Sequence, residues 1–82
     1  MVKKLSELMK ENNILGLKTY QIAENEMYKA SNVIGYAKME DKWIIYNFDE
    51  RCQMSIYNKY DSEEETIEEL FKIIKSFYSL GK

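Results

Sequence analysis

Residues 33–48, with the sequence VIGYAKMEDKWIIYNF, decide the fold. Two runs within this stretch, 33–39 and 42–48, are rich in β-branched and aromatic residues, a composition typical of strands. Only Glu40 and Asp41 separate them. We therefore predict two antiparallel strands joined by a tight hairpin.

The second run is apolar on both of its faces. Side chains alternate along a strand, so Trp43 and Ile45 lie on one face while Ile44, Tyr46 and Phe48 lie on the other. Such a strand is either central and covered on both sides, or it keeps one face free for a ligand. The sequence leaves both alternatives open.

The segments around the hairpin complete an α+β pattern. Residues 3–12 have the apolar spacing of a short helix that ends at Asn12 and Asn13, and residues 18–24 alternate as a strand does. Residues 53–60 alternate again, and their predicted apolar face consists of Met54, Ile56 and Tyr60. The pattern predicts an N-terminal helix, a three- to four-stranded antiparallel meander and a C-terminal helix, with both helices packed on one face of the sheet.

The C-terminal helix has a defined start and a continuous apolar stripe. Ser62 followed by Glu65 forms a capping box, and Gly81 is a suitable end. The stripe has the i, i+3, i+4, i+7 spacing of an amphipathic helix. It consists of Ile67, Leu70, Phe71, Ile74, Phe77 and Tyr78.

Length and composition indicate one globular domain spanning residues 1–82. The chain is 45% apolar and 32% charged, which is unlike a disordered segment. Its net charge of −2 argues against nucleic acid as a partner. The order helix, strands, helix also occurs in double-stranded-RNA-binding domains. Those domains need basic residues at the start of the last helix, where this chain has acids at 61–65.

Several classes of site lack the residues they need. The chain has no histidine and one cysteine, Cys52, so we predict no disulfide, no zinc site and no histidine-based nucleophilic catalysis. We expect no cofactor, no catalytic residues and no enzymatic activity. No apolar run is long enough to span a bilayer and no signal sequence is evident. We therefore expect a cytoplasmic protein without a membrane partner.

The segment Asp49–Glu50–Arg51 follows the second strand of the hairpin. Arginine between two acids can form a local ion pair at a strand end, which contributes little when it is exposed. Alternatively, the three side chains form a polar recognition patch beside aromatic residues, a combination typical of binding hot spots. Spacing alone does not decide between these interpretations.

The chain resembles a family of small bacterial immunity proteins, immunity protein family fifty-nine, from Tyr20 onward. The resemblance is carried by residues 35–38 and 42–46, by the Asp49–Glu50–Arg51 turn and by the acidic start of the last helix at 61–65. In that family a glycine follows the arginine, where this chain has Cys52. The resemblance implies a protein that binds a toxin of a polymorphic toxin system and neutralises it inside the producing cell.

These observations lead to one functional prediction and one alternative. We predict an immunity protein that occludes its cognate toxin domain without covalent chemistry. A sheet with helices on one side leaves its other face exposed, and on this basis the predicted partner contacts are Tyr36, Tyr46, Phe48, Asp49, Glu50 and Arg51. The alternative is a self-associating module in which the same aromatic face pairs with its copy in a homodimer.

Overall fold

The computed structural model describes residues 4–14, 16–17 and 20–80, with side chains as far as Tyr78. Within this range it confirms the predicted α+β class and the predicted order of elements. The elements are α1 (Leu5–Glu11), β1 (Gln21–Ala23), β2 (Val33–Met39), β3 (Lys42–Phe48), β4 (Met54–Tyr60) and α2 (Glu63–Leu80).

The four strands form one sheet in chain order, β1-β2-β3-β4. Strands β2, β3 and β4 are antiparallel as predicted, and Glu40 takes a left-handed φ of 58° in the two-residue hairpin loop. The prediction of a fully antiparallel meander is wrong for β1, which runs parallel to β2 with Gln21 opposite Val33. A parallel neighbour requires a connection that crosses over the sheet, and residues 24–32 provide it.

The main core lies between one face of the sheet and the two helices. Ile34 and Tyr36 of β2 and Ile45 of β3 pack against the buried stripe of α2. Burying this stripe stabilises α2, since most helical stability in proteins comes from packing an amphipathic face. With the sheet and one helical layer, the molecule measures 36 × 34 × 16 Å.

A second cluster fills the opposite face of the sheet, which we call the second face. It consists of Ala23, Val33, Ala37, Ile44, Tyr46 and Phe48, with Ala30 and Cys52 packed against it. The sequence-based expectation that this face is exposed is wrong, because the crossover segment 24–32 lies over it. The Tyr46 hydroxyl attaches this segment by accepting from the Tyr28 amide at 2.9 Å and donating to the Glu26 carbonyl at 2.6 Å.

Both helices begin at carboxylates or hydroxyls that accept from free backbone amides. Ser62 Oγ accepts from the Glu65 amide at 3.1 Å, which confirms the predicted cap of α2. The Glu24 carboxylate, at the end of β1, accepts from the Leu5 and Ser6 amides at 3.2 Å and so ties α1 to the sheet. The predicted end of α1 at Asn12 is confirmed, and the predicted end of α2 at Gly81 lies outside the described residues.

A β-bulge interrupts the pairing of β4 with β3. Ile45 is opposite Asn58 and Tyr46 is opposite Ile56, so Tyr57 has no partner. The extra residue reverses the alternation of side chains along β4. Met54 and Ile56 therefore lie on the second face, while Tyr60 packs against the helical core. The prediction that these three residues form one apolar face is wrong for this reason.

Replacing Gly35 by alanine should destabilise the parallel pairing of β1 with β2. The added Cβ would lie 2.4 Å from the Ala23 carbonyl oxygen and 2.7 Å from the Ala23 Cβ. We expect Gly35→Ala to lower the free energy of unfolding by about 1–3 kcal/mol, as overpacked cores do, measured by urea denaturation. Adding Ala23→Gly should not restore stability, since the clash with the carbonyl oxygen remains. Full recovery in the double variant would contradict this account.

Removing the Tyr46 hydroxyl should loosen the crossover segment. Tyr46→Phe leaves the Tyr28 amide and the Glu26 carbonyl without their partner, and a hydrogen bond of this kind contributes about 0.5–1.5 kcal/mol to stability. We expect lower stability and faster hydrogen exchange at the Tyr28 amide. Tyr36→Phe is the matched control, because its hydroxyl donates only to the Glu63 carboxylate at 3.2 Å. An unchanged rate of hydrogen exchange at the Tyr28 amide in Tyr46→Phe would contradict the proposed role of this hydroxyl.

Stability should fall at alkaline pH. Burial, followed by the negative charge of Glu63, raises the pKa of Tyr36 above its ordinary value of 10.0. The folded protein therefore holds this proton more tightly than the unfolded chain does, and stability declines as pH rises above about 10. In urea denaturation from pH 8 to 11, we expect the free energy of unfolding of Tyr36→Phe to fall less steeply than that of the wild type. Equal slopes would contradict the assignment.

Candidate functional site

The six predicted contact residues divide into a buried and a surface group. Tyr36, Tyr46 and Phe48 are only 1%, 0% and 4% exposed, so they cannot touch a partner in this conformation. Tyr36 also lies on the helical side of the sheet, opposite to Tyr46 and Phe48. The expectation that these rings form one exposed surface is therefore wrong. Asp49, Glu50 and Arg51 do lie at the surface, in the connection between β3 and β4.

The connection between β3 and β4 is held by hydrogen bonds that centre on Asp49. Asp49 Oδ1 accepts from the amides of Arg51 and Gln53, both at 2.9 Å. The Asp49 carbonyl accepts from the Cys52 amide at 2.9 Å and from the Asn32 amide at 3.1 Å. These bonds fix the turn to itself and to the end of the crossover segment. The exposed Glu50 and Arg51 are thus presented from a rigid base.

Cys52 takes a left-handed backbone conformation in this turn. Its φ is 62°, a region in which most residues with a side chain are strained and glycine is not. The turn therefore has the geometry that a glycine at this position would supply. This finding bears on the resemblance described above, because the immunity family has glycine where this chain has Cys52.

Beside the turn lies an open depression of about 450 Å³, which we call the strand-end depression. It is lined by Tyr20, Asn32, Asp49, Glu50, Arg51 and Gln53. Tyr20 forms one wall and is itself held by stacking on Phe77 of α2, with ring centroids 5.8 Å apart. Within the described residues, the Arg51 guanidinium has no ion-pair or hydrogen-bond partner, so it is available to an external carboxylate.

Three of the lining residues were missed by sequence reasoning. Gln53 follows the turn closely in the sequence. Tyr20 and Asn32 are far from Asp49 along the chain, and no sequence motif links them to it. Tyr20 precedes β1, and the parallel register of Gln21 with Val33 brings it to the end of the sheet where β3 ends. A fully antiparallel meander would have placed Tyr20 at the opposite end. No signal in the sequence gives the direction of a three-residue strand.

The second face also carries exposed apolar side chains around the edges of its buried cluster. They are Met27 and Tyr28 of the crossover segment, Met39 at the end of β2, and Met54 and Ile56 of β4. Their placement follows from register, since Ile56 is opposite Tyr46 and Met54 is opposite Phe48. Flexible methionine side chains can adapt to an irregular surface. These positions, and not the buried rings, are the apolar surface that a partner could contact on this face.

The chemistry of the strand-end depression is that of recognition. Its side chains offer one guanidinium, two carboxylates, two amides and one phenol, which can pair with complementary groups on a protein surface. Among the described residues, no group of cysteine, aspartate and glutamate side chains could hold a metal ion. No helix in that part of the chain is both long and apolar enough to cross a bilayer.

Comparison with protein-family models, with curated proteins and with solved structures gives no match. The resemblance to the immunity family therefore stays a prediction that rests on the residues quoted for it.

Proposed function

We propose that this protein is an immunity protein that binds a toxin domain and neutralises it by non-covalent occlusion. The observation that carries the proposal is the strand-end depression, where an unpaired, exposed Arg51 lies beside an aromatic wall. Arginine and tyrosine are among the three residue types that are enriched in binding hot spots. The resemblance to the immunity family supplies the class of partner.

Rigidity supports this proposal. A binder that is already in its bound shape loses little conformational entropy on association. The hydrogen bonds of Asp49 hold the turn, and the stack on Phe77 holds Tyr20. The depression therefore has the fixed form that tight occlusion of one partner requires.

Charge also favours a basic partner. The first part of α2 exposes Glu64, Glu65 and Glu68, and Asp61 precedes it. Long-range attraction between opposite charges speeds the encounter of two proteins at low ionic strength. Toxin domains that attack nucleic acids carry basic surfaces, so an acidic inhibitor would meet them faster.

The proposal predicts that the binding of a toxin domain depends on Arg51. We expect the tagged chain to retain a larger protein from a lysate of its own cell through a high-salt wash. A domain of that protein should arrest growth when expressed alone and be harmless when co-expressed with this chain. Arg51→Ala should weaken binding by about 10-fold or more, the effect of losing a hot-spot residue, measured by titration calorimetry with the purified domain.

Lys10→Ala provides the matched control for this experiment. Lys10 is an exposed cation on α1, and it does not line the strand-end depression. Its replacement therefore removes one positive charge outside the proposed site. It should leave both binding and protection unchanged. If no captured domain is toxic, the immunity proposal fails. If a toxic domain binds both variants equally, the function stands and the assignment of the depression fails.

The alternative of a self-associating module cannot use the aromatic face in this conformation, because its rings are buried. The free edge of β4 is a different surface that favours self-association. Pairing through this edge would use the backbone of residues 54–60, and none of these residues lines the strand-end depression.

A further inference from the structure

The β4 strand forms an open edge of the sheet. It pairs with β3 on one side, and no strand of the described residues lies on its other side. Every residue of β4 except the half-buried Tyr60 is exposed. An edge strand of seven residues presents a row of unpaired backbone donors and acceptors.

The other edge of the sheet is much less available. β1 has three residues, and the groove along it is lined by Leu5, Ser6 and Met9 of α1. The Glu24 carboxylate fixes α1 in this place. Short strands and covering helices are the means by which proteins avoid pairing at an edge. In the part of the chain that the structure describes, β1 has both and the exposed seven-residue β4 has neither.

The side chains of β4 do not oppose pairing either. Met54, Ile56 and Tyr57 are among the large apolar side chains that are exposed. The strand has no proline, and its only charged residue is Lys59. Charged residues, prolines and β-bulges are the usual protection of an edge. One lysine and one bulge are the protection that β4 has, and three large apolar side chains stay exposed along it, which favours a covering strand.

We propose that the covering strand is β4 of a second copy, paired antiparallel to form a two-fold dimer with a continuous eight-stranded sheet. An antiparallel strand pair can be symmetric about its midpoint, so a strand can be its own partner in a two-fold dimer. This proposal goes beyond the immunity function, since it concerns the backbone edge of β4 and not the side chains that line the strand-end depression.

Two-fold symmetry also keeps the two Lys59 charges apart and places the bulges of the two strands opposite each other. With Tyr57 near the two-fold axis, the two copies of Lys59 lie about 14 Å apart along the strands, since each residue advances about 3.4 Å. That separation exceeds the screening length of about 8 Å at physiological salt. Both edges carry the same bulge at Tyr57, so the two strands twist alike where they meet.

Sedimentation equilibrium of the purified chain tests the proposal. We expect the mass to rise from 9.8 kDa toward twice that value as concentration increases through the micromolar range. Tyr57→Lys would place two cations near the axis and should raise the dimer dissociation constant at least 10-fold. Tyr28→Lys is the matched control, because Tyr28 is 45% exposed and Tyr57 is 48% exposed, but Tyr28 lies on the crossover segment.

The outcomes distinguish a dimer formed through the β4 edge from one formed through the second face, and they do not depend on toxin binding. Loss of dimer in Tyr57→Lys alone, with unchanged circular dichroism and thermal unfolding, supports edge pairing. Loss in Tyr28→Lys alone would assign the dimer to the second face and overturn the proposal, as would a monomer at all concentrations. Toxin binding does not enter this assay, so its failure leaves the proposed function standing.

A disulfide trap provides a second test that does not depend on charge. Tyr57→Cys in a Cys52→Ser background should form a covalent dimer on mild oxidation, because the two residues would meet near the axis. Tyr28→Cys in the same background should stay monomeric. A trapped dimer from Tyr28→Cys, or none from Tyr57→Cys, would contradict the proposed pairing.

Discussion

The two hydrogen bonds of the Tyr46 hydroxyl hold the crossover segment over the second face of the sheet. They attach the backbone of the crossover segment to the centre of β3. Because the segment lies there, the second face has its own buried cluster and β1 can run parallel to β2. Burial raises the pKa of the Tyr46 hydroxyl, so the neutral form that both donates and accepts is the form that the fold favours. A molecule with one layer of helices thereby covers both faces of its central strand.

The elements that the sequence predicts correctly are those with a regular spacing of apolar residues. Alternation identified β2 and β3, and the helical stripe and capping box identified α2, since these patterns arise from burial on one face. The crossover segment has no period, and its attachment depends on a hydroxyl that meets backbone atoms far along the chain. Three residues cannot encode whether β1 is parallel. The bulge at Tyr57 adds one residue to an alternating run, and the sequence of β4 reads as continuous across it.

The same distinction explains which site residues could be predicted. Asp49 and Arg51 belong to a polar turn after a strong strand, and such turns reach the surface. Alternation along β3 places Tyr46 and Phe48 on the face away from the helices, and no pattern in the sequence indicates that residues 24–32 cover that face. Tyr20 joins the depression solely through the parallel register of β1. The errors at Tyr46, Phe48 and Tyr20 thus follow from one error in the fold, the path of residues 24–32. Tyr36 fails for another reason, since its register opposite Ile45 places it under the helices.

The two proposed surfaces are compatible in one assembly. The turn that carries Arg51 joins the start of β4 to β3, so it lies at one end of the edge strand. In an antiparallel pair of β4 strands the two starts point in opposite directions. The two strand-end depressions would then lie at opposite ends of the eight-stranded sheet, each open to solvent. Such a dimer would bind two toxin domains without collision between them, while the pairing of β4 would remove the one long open edge of the fold.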